Sequence, residues 1–599
     1  MERKLYLTNI TCNQKIDVKF LDLSYAVRTR YCGSKKQILK GLNGIFRSAE
    51  LTAIMGPSGA GKTMLLSILS GFQEGLYTGT VEYLKQGNKQ NRYSCKKQLC
   101  YIQQTNHLHD YFTINEVMMI ASYLKIDRRI SRKSRQMLIN DILSTLMLLH
   151  IKETRTDRLS GGEKKRLSIA LEMIDNPSLM FLDEPTTGLD SSASVQCLTA
   201  LKKLAQTGRT IICTIHQPST TLYEMFDHIY LVVDGHCMYR SPPGDTVNYF
   251  ARQGLQCPKY HNPADYMLEV VSKEYGNYDE QLIAASKWPE SNDEICSSKL
   301  SCNMTRQKIS NNNQMITLTC PPTELMRFWV LLQRYMMLTY RMRKTVYIQL
   351  SGHLFVSVLA GLIYKHTGND ANKIFGNLCY LLVSTLYPCF FGLMSAVIKF
   401  PLEIVILRKE HFNNWYQLRT CYIAILVSTI PLQTIYGFLG SSITYYMTSQ
   451  PPEFSRFFMY LLINILSFFI SESLGLGLGA TFEPVNGFFV GSIIVCAMFS
   501  LAGLIVFFKD MTSFMYYISY LSMLRYAFDG AVQSVYGNGR ENLQCSDIYC
   551  HFRAPSTILE MLDMTKSSFW YDVAILLGYY IVFCVLGYIL LKIRLSRMY

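Results

Sequence analysis

The sequence predicts two structural classes in one chain: an α/β domain with a helical subdomain, then an all-α membrane domain of six spanning helices. Three observations carry this. Gly56-Pro57-Ser58-Gly59-Ala60-Gly61-Lys62-Thr63 fits G-x-x-x-x-G-K-[ST] between an apolar run, Leu51 to Met55, and a helix-like stretch, Met64 to Leu69. Charged and polar patterning prevails up to about residue 325, and long uncharged apolar runs prevail beyond it. With 599 residues the chain exceeds one domain of roughly 100–200 residues.

Composition narrows the function. The net charge of +15 raises nucleic acid as a partner, but no Arg/Lys-rich tract with interleaved aromatics occurs. Basic residues collect beside the apolar runs, so membrane lipids are the expected partner and nucleic acid is not. Met1 to Asn43 has no apolar h-region, and no secretory leader is expected. The eighteen cysteines include no C-x-x-C pair, and those in the polar half read as thiols of a reducing compartment.

In the phosphate loop, glycines let backbone N–H groups close around phosphate oxygens, and the following helix N-terminus adds partial positive charge. Lys62 is placed to reach the β- and γ-phosphates of ATP, and the Thr63 hydroxyl to ligate Mg²⁺. Upstream, Val18 to Tyr25 reads as an edge strand, and Tyr25 and Tyr31 are the nearby aromatics able to stack on an adenine. Leu99 to Ile102 reads as a strand ending in Gln103-Gln104, where Gln104 can meet Mg²⁺ and the attacking water. Thr113 to Leu124 and the basic stretch Arg128 to Arg135 read as helices of a subdomain. Leu159-Ser160-Gly161-Gly162-Glu163 opens another helix, and Ser160 with the Gly161 and Gly162 amides makes a second anion site. Leu179 to Leu182 is a buried strand delivering Asp183, suited to indirect Mg²⁺ coordination, and Glu184, suited to polarising the water that attacks the γ-phosphate.

The ordered set of phosphate loop, L-S-G-G-E and apolar strand plus D-E-P resembles the ATP-binding cassette of ABC transporters, a P-loop NTPase. The resemblance implies further roles. Gln104 falls at the Q-loop glutamine, Asp190 in T-G-L-D-S-S at the D-loop, and His216 in T-I-H-Q-P-S at the switch histidine. L-S-G-G-E-K-K-R-L-S-I-A, D-E-P-T-T-G-L-D-S-S and Tyr260-His261-Asn262-Pro263-Ala264-Asp265 look like the G (White) subfamily, in its sterol- and lipid-exporting branch. That likeness covers roughly residues 18–599. In the family, ATP lies between the phosphate loop of one cassette and the L-S-G-G-E of another. A chain with one of each is expected to pair, as a homodimer or with another half-transporter. A rival from another class is a nucleotide-gated channel regulator that binds ATP without pumping.

The domain boundaries expected are a cassette over 1–275, a polar linker over 276–323, an amphipathic basic helix over 324–344 and a membrane domain over 345–599. The Asn303-Met304-Thr305 sequon falls in the linker and is expected to be silent. Six stretches approach the about 20 apolar residues a span needs: 346–364, 374–398, 421–447, 457–482, 488–508 and 573–591. Basic residues at Arg341 to Lys344, Lys399 to Arg419 and Lys592 to Arg597 put the cassette and both termini in the cytosol, at the plasma or an internal membrane.

The connection Phe400 to His411 resembles the subfamily's first coupling segment, with a solvated loop as its alternative. Phe514 to Tyr526 is an aromatic run interrupted by Arg525, where the family has a re-entrant helix. Cys545 and Cys550 lie in an outer loop, and a bridge within the chain or between chains is open to them. No N-x-[ST] sequon falls on an outer loop, so no N-glycan is expected. Spans rich in Phe, Tyr, Leu and Met suit a hydrophobic small-molecule cargo, lipid-like or sterol, or else a pigment precursor or small amphipathic metabolite. Resemblance implies an aromatic clamp at Phe391 and an apolar plug at Leu504 and Ile505 in span five. Glu472, in span four, reads as an interhelical hydrogen-bonding group or the wall of a polar cavity.

Overall fold

Alternation of buried and half-buried residues from Ile16 to Leu21 starts the first strand, and the computed structural model places it between two others. The structure describes residues 15–28, 35–73, 77–85, 88–90, 98–286, 322–545, 550–565 and 567–598. Tyr31 and the Asn303 sequon lie outside them. Two compact units emerge: residues up to Arg327 together with Lys409–Tyr416, and Phe328–Arg408 together with Gln417–Met598.

In the first unit, β1 (Ile16–Arg28) pairs antiparallel with β2 (Lys35–Phe46) and β4 (Tyr77–Lys85), and β5 (Asn88–Gln90) extends that sheet. The second sheet is built on β3 (Leu51–Met55), buried throughout, in the order β10-β9-β3-β8-β7-β6. Its members are β6 (Leu99–Ile102), β7 (Leu179–Leu182), β8 (Thr210–Thr214), β9 (His228–Val233) and β10 (His236–Ser241). All its pairings are parallel except the one between β9 and β10. Near-continuous apolar runs in β3, β7 and β8 follow from burial on both faces. Phe20, Phe46 and Tyr230 join the two sheets, with ring centroids 5.3 to 5.7 Å apart. The phosphate loop follows β3, Gln104 follows β6, Asp183 follows β7 and His216 follows β8. The carboxyl ends of parallel strands are where open α/β sheets bind ligands.

The helices begin where the sequence provides caps. Helix α1 (Lys62–Ser70) lies between Gly61 and Gly71, both at positive φ. Capping boxes start α2 (Ile114–Lys125) at Thr113/Glu116 and α4 (Gly161–Met173) at Ser160/Glu163, while Ser131 caps α3 (Arg132–Thr145). Helix α5 (Ser191–Gln206) starts at Asp190, and Asn262 followed by Pro263 starts α6 (Pro263–Val271). The expected linker is folded at its start: α7 (Asp279–Ala285) buries Leu282, and the Ser286 hydroxyl donates to the Cys237 carbonyl. An apolar anchor inside a polar stretch thus carries the cassette to at least Ser286.

The second unit is helical. Helix α8 (Glu324–Arg341) leaves Leu325, Trp329, Met336, Met337 and Tyr340 exposed, as an interfacial helix does. A break at Met342 separates it from α9 (Arg343–Ile363). Then come α10 (Ile374–Phe412), α11 (Leu418–Met447), α12 (Phe454–Thr481), α13 (Pro484–Ser500), α14 (Met523–Tyr536) and α15 (Phe569–Met598). Among the described residues five helices are long and apolar enough to cross a membrane, namely α9 to α12 and α15.

The structure differs from the sequence reading at two places here. The stretch expected as span five ends as a helix at Ser500, after 17 residues, about 26 Å of rise against a hydrocarbon core of about 30 Å. Gly503 turns at φ 92°, where a Cβ would strike the Phe508 ring, so Leu504 and Ile505 lie in a turn rather than a helix. The coupling stretch read as a connection is helical through Phe412, because Phe400, Ile404 and Leu407 repeat on one buried face.

Arg525, the charge in the aromatic run, stacks over Tyr520 at 3.9 Å and Phe508 at 4.2 Å. Cys545 and Cys550 form a disulfide within the chain. Glu472, 8% exposed on α12, interacts with Thr429 and Gln433 of α11 and with Lys399 of α10.

Candidate nucleotide site

Between β3 and α1 the loop must turn on glycines. Gly56 sits at φ 146°, and a Cβ there would lie 2.0 Å from the Val232 carbonyl oxygen; at Gly61, φ 100°, it would meet Leu39 at 2.8 Å. The loop frames a cavity of about 470 Å³ lined by Ser58 to Met64, Glu184 and His216, with Ile38, Phe72 and Tyr101 on its walls. Lys62 Nζ donates to the carbonyls of Gly56 (2.6 Å) and Pro57 (3.0 Å), and burial lowers its pKa. Tyr25 is not at this cavity. It is a core residue of β1, 9% exposed, and Ile38 of the neighbouring strand lines the pocket instead.

The acidic pair is fixed by hydroxyls. Asp183 Oδ1 accepts from Thr63 at 3.1 Å and from Thr214 at 2.7 Å, and burial pushes its pKa up against these two bonds. Thr214 Oγ1 also accepts the Glu184 N–H at 2.8 Å. The Glu184 carboxylate accepts from Gln104 Nε2 at 2.7 Å and Thr187 Oγ1 at 2.8 Å, on a backbone held at φ 42°. His216 Nε2 and Ser58 Oγ are 3.1 Å apart. Glu184 and His216 line the cavity, with Gln104 bonded to Glu184 and Asp183 bonded to Thr63 just behind them, and there a hydroxyl, an amide oxygen and a carboxylate offer a hard cation oxygen ligands.

Ser160, Gly161, Gly162, Glu163 and Asp190 do not join them. Ser160 is the N-cap of α4, its N–H and hydroxyl both 2.9 Å from Glu163 Oε2, and Ser160, Gly161 and Asp190 are exposed. Gly162 needs its missing side chain, since a Cβ there would lie 2.9 Å from Ala193 Cβ.

Two contributors escape a sequence reading. Lys165, 2% exposed, donates to the carbonyls of Gln103 (2.8 Å), Gln104 (3.2 Å) and Asp183 (3.2 Å), tying α4 to the ends of β6 and β7. In the sequence it is the middle of three consecutive basic residues, Lys164-Lys165-Arg166, with nothing to mark it from its neighbours. The segment 409–416 packs with the cassette core: Phe412 meets Phe72 at 4.9 Å, and Trp415 Nε1 donates to Glu172, which also pairs with Lys125 at 2.6 Å. In the helical unit, Phe391 packs at 4.0 Å on His353, while its neighbour Phe390 is exposed.

Family models match both the cassette and the helical part of the chain. Residues 39–187 match a family model described as ABC transporter, and residues 326–536 match one described as ABC-2 type transporter. A second ABC-2 type transporter model matches residues 216–289. ABC transporter G family member 1 of Dictyostelium discoideum is 28% identical over 98% of this chain and 86% of its own length. ABC transporter G family member 21 of Arabidopsis thaliana is 29% identical over 86% and 81%, and Protein white of Ceratitis capitata is 27% identical over 94% and 85%. A nucleotide cassette joined to an ABC-2 membrane domain defines an ATP-driven membrane transporter. The chain belongs to the G (White) family of ABC transporters, as a half-transporter with its cassette ahead of its membrane domain, coupling ATP hydrolysis to export.

Proposed function

We propose that two half-transporters, identical or different, close around ATP and use its hydrolysis to export a hydrophobic, lipid-like or sterol cargo. One observation carries the pairing. The phosphate cavity contains no residue of L-S-G-G-E, while Ser160 and Gly161 stand exposed at a capped helix N-terminus. Such an N-terminus, with its partial positive charge, suits an anionic phosphate. A second chain's ATP, held by that chain's phosphate loop, fits it.

In this reading Lys62 leaves the loop carbonyls for the β- and γ-phosphates, and Glu184 orients the attacking water, kept in place by Gln104 and Thr187. His216 contacts the γ-phosphate beside Ser58. Thr63, Asp183 and Gln104 form a donor set suited to Mg²⁺, which supplies charge neutralisation on the phosphate oxygens when bound. The cassette and termini face the cytosol at the plasma or an internal membrane, with α8 in the interface. Phe391, Leu504 and Ile505 contribute apolar surface to the cargo path. A second reading, export of a small amphipathic metabolite or pigment precursor, is favoured by the buried polar group of Glu472, Thr429 and Gln433.

The test uses the full chain in nanodiscs and vesicles, with ATPase and export measured across sterols, phospholipids and amphipathic metabolites. Wild type hydrolyses ATP faster with one class and moves it. Glu184→Gln keeps ATP bound and loses both activities. Full hydrolysis and transport by a strictly monomeric protomer overturns the pairing, and output retained by Glu184→Gln marks a nucleotide-gated regulator.

A further inference from the structure

Helices α9, α10, α11 and α12 enclose a second cavity, of about 50 Å³. His353 lines it and is 2% exposed. Four rings surround the imidazole: Phe391 at 4.0 Å between centroids, Tyr436 at 4.4 Å, Tyr387 at 5.4 Å and Phe468 at 5.7 Å. Nδ1 is hydrogen-bonded to the Tyr387 hydroxyl at 2.8 Å. Nε2 is buried and has no hydrogen-bond partner among the described residues. Surrounded by aromatic rings and tethered through Nδ1, the imidazole cannot turn to satisfy it. An apolar bilayer offers no water from outside to do so.

The lining sets the chemistry of an occupant. Among the described residues no Asp, Glu, Lys or Arg borders the cavity, so an ion would enter without a countercharge. Val356, Ala360 and Val383 supply apolar wall, and Val383, 37% exposed, stands at the rim. A hydroxyl suits the imidazole in either tautomer, because it accepts from an N–H and donates to a bare nitrogen. At roughly 10–15 Å³ per water-sized group, the cavity takes a hydroxyl and the first few carbons behind it. We propose that this cavity binds the hydroxyl end of a neutral amphiphile, held by His353 Nε2, with its tail leaving past Val356 and Val383. The site lies within one protomer and does not depend on the identity of the exported cargo.

The probe is a long-chain primary alcohol carrying a diazirine near the hydroxyl, compared with the same diazirine chain ending in a methyl group. Both are irradiated with the full-length protein in nanodiscs. The alcohol should label peptides containing His353, Tyr387 or Tyr436 at least tenfold more than the hydrocarbon. His353→Phe should lose that preference. Ala360→Phe, which fills the cavity and keeps the histidine, should lose the labelling, and retained ATP hydrolysis in both variants shows that they fold. Equal labelling by the two probes, labelling only elsewhere, or an unchanged preference in His353→Phe overturns the proposal. Loss of transport with labelling intact would count against the export reading and leave this site standing.

Discussion

The side-chain amide of Asn413 accepts the backbone N–H of Tyr101 at 3.0 Å and donates to the backbone carbonyl of the same residue at 3.1 Å. Tyr101 belongs to β6, the edge strand of the six-stranded sheet, so Asn413 does for that edge what a further strand would do. Three residues on lies Gln104, bonded to Glu184. Asn413→Ala removes both hydrogen bonds to the buried Tyr101 backbone, at about 1–3 kcal/mol each. The expected outcome is a lower midpoint for cassette unfolding in the full chain, read by a fluorescence melt, with Asn413→Gln intermediate. An unchanged midpoint would mean that the edge finds other partners.

Lys165 makes hydrolysis pH-dependent at the alkaline end. Burial chiefly brings its pKa down to about 8; Lys409 adds to this, while Cys197, Asp183 and Glu184 oppose it. Below pH 8 the ammonium has three protons for three carbonyls; above it, the amine has two. Stability has the opposite sign, because between about 8 and 10.5 the unfolded chain holds the proton and the native chain does not, so folding gains as pH rises. The ATPase rate should therefore fall above pH 8 without unfolding. Lys165→Met should lower kcat by roughly 10- to 100-fold through misplacement of Gln104 and Glu184. It should also remove the alkaline limb. A Lys165→Met enzyme that keeps that limb would assign it to another group.

His228 gives the cassette an acid-sensitive point. Burial, with Arg47 and Arg240 nearby, holds its pKa down to about 4, and its Nδ1 is buried without a hydrogen-bond partner among the described residues. The native state keeps it neutral while the unfolded chain protonates near 6.5, so its contribution is present above pH 6.5 and is lost as pH falls towards 4. The loss is at most about 3 kcal/mol. Melting curves between pH 7 and 4.5 should show a falling midpoint that flattens in His228→Phe. An identical slope in the variant would place the sensitivity in the carboxylates.

Local signals were the legible ones. The phosphate loop needs glycine where backbone meets backbone, and the boxes at Thr113/Glu116 and Ser160/Glu163 announce their helices within four residues. The strand ends bearing Asp183 and His216 follow from short buried runs. What escaped depends on distance along the chain. Lys165 reaches back some 60 residues to Gln103, and Asn413 reaches 312 residues to Tyr101, contacts that no window of sequence displays. Hydropathy placed a long fifth span because it counts apolar residues and ignores Gly503, whose left-handed turn follows the helix end. It also ended span two early, where a periodic buried face carries the helix past Lys399 to Phe412.

Thr214 is the hinge of the acidic pair, since one buried hydroxyl donates to Asp183 and accepts from the Glu184 backbone. Thr214→Val keeps the shape of the side chain and removes both bonds. Burial already raises the Asp183 pKa, and the hydrogen bonds from Thr214 and Thr63 hold it down. Losing one of them raises it further, so the acid limb of the ATPase profile should move to higher pH. The Glu184 N–H, left without its acceptor, should cost about 1–3 kcal/mol of stability. Because Lys62 and the loop are untouched, ATP affinity should change little while kcat falls, roughly 10- to 100-fold if Glu184 is displaced by an ångström. The split separates positioning from binding: fluorescent ATP titration reads affinity, and phosphate release reads kcat. A large rise in Kd with kcat preserved would mean that Thr214 shapes the phosphate cavity instead of the acidic pair.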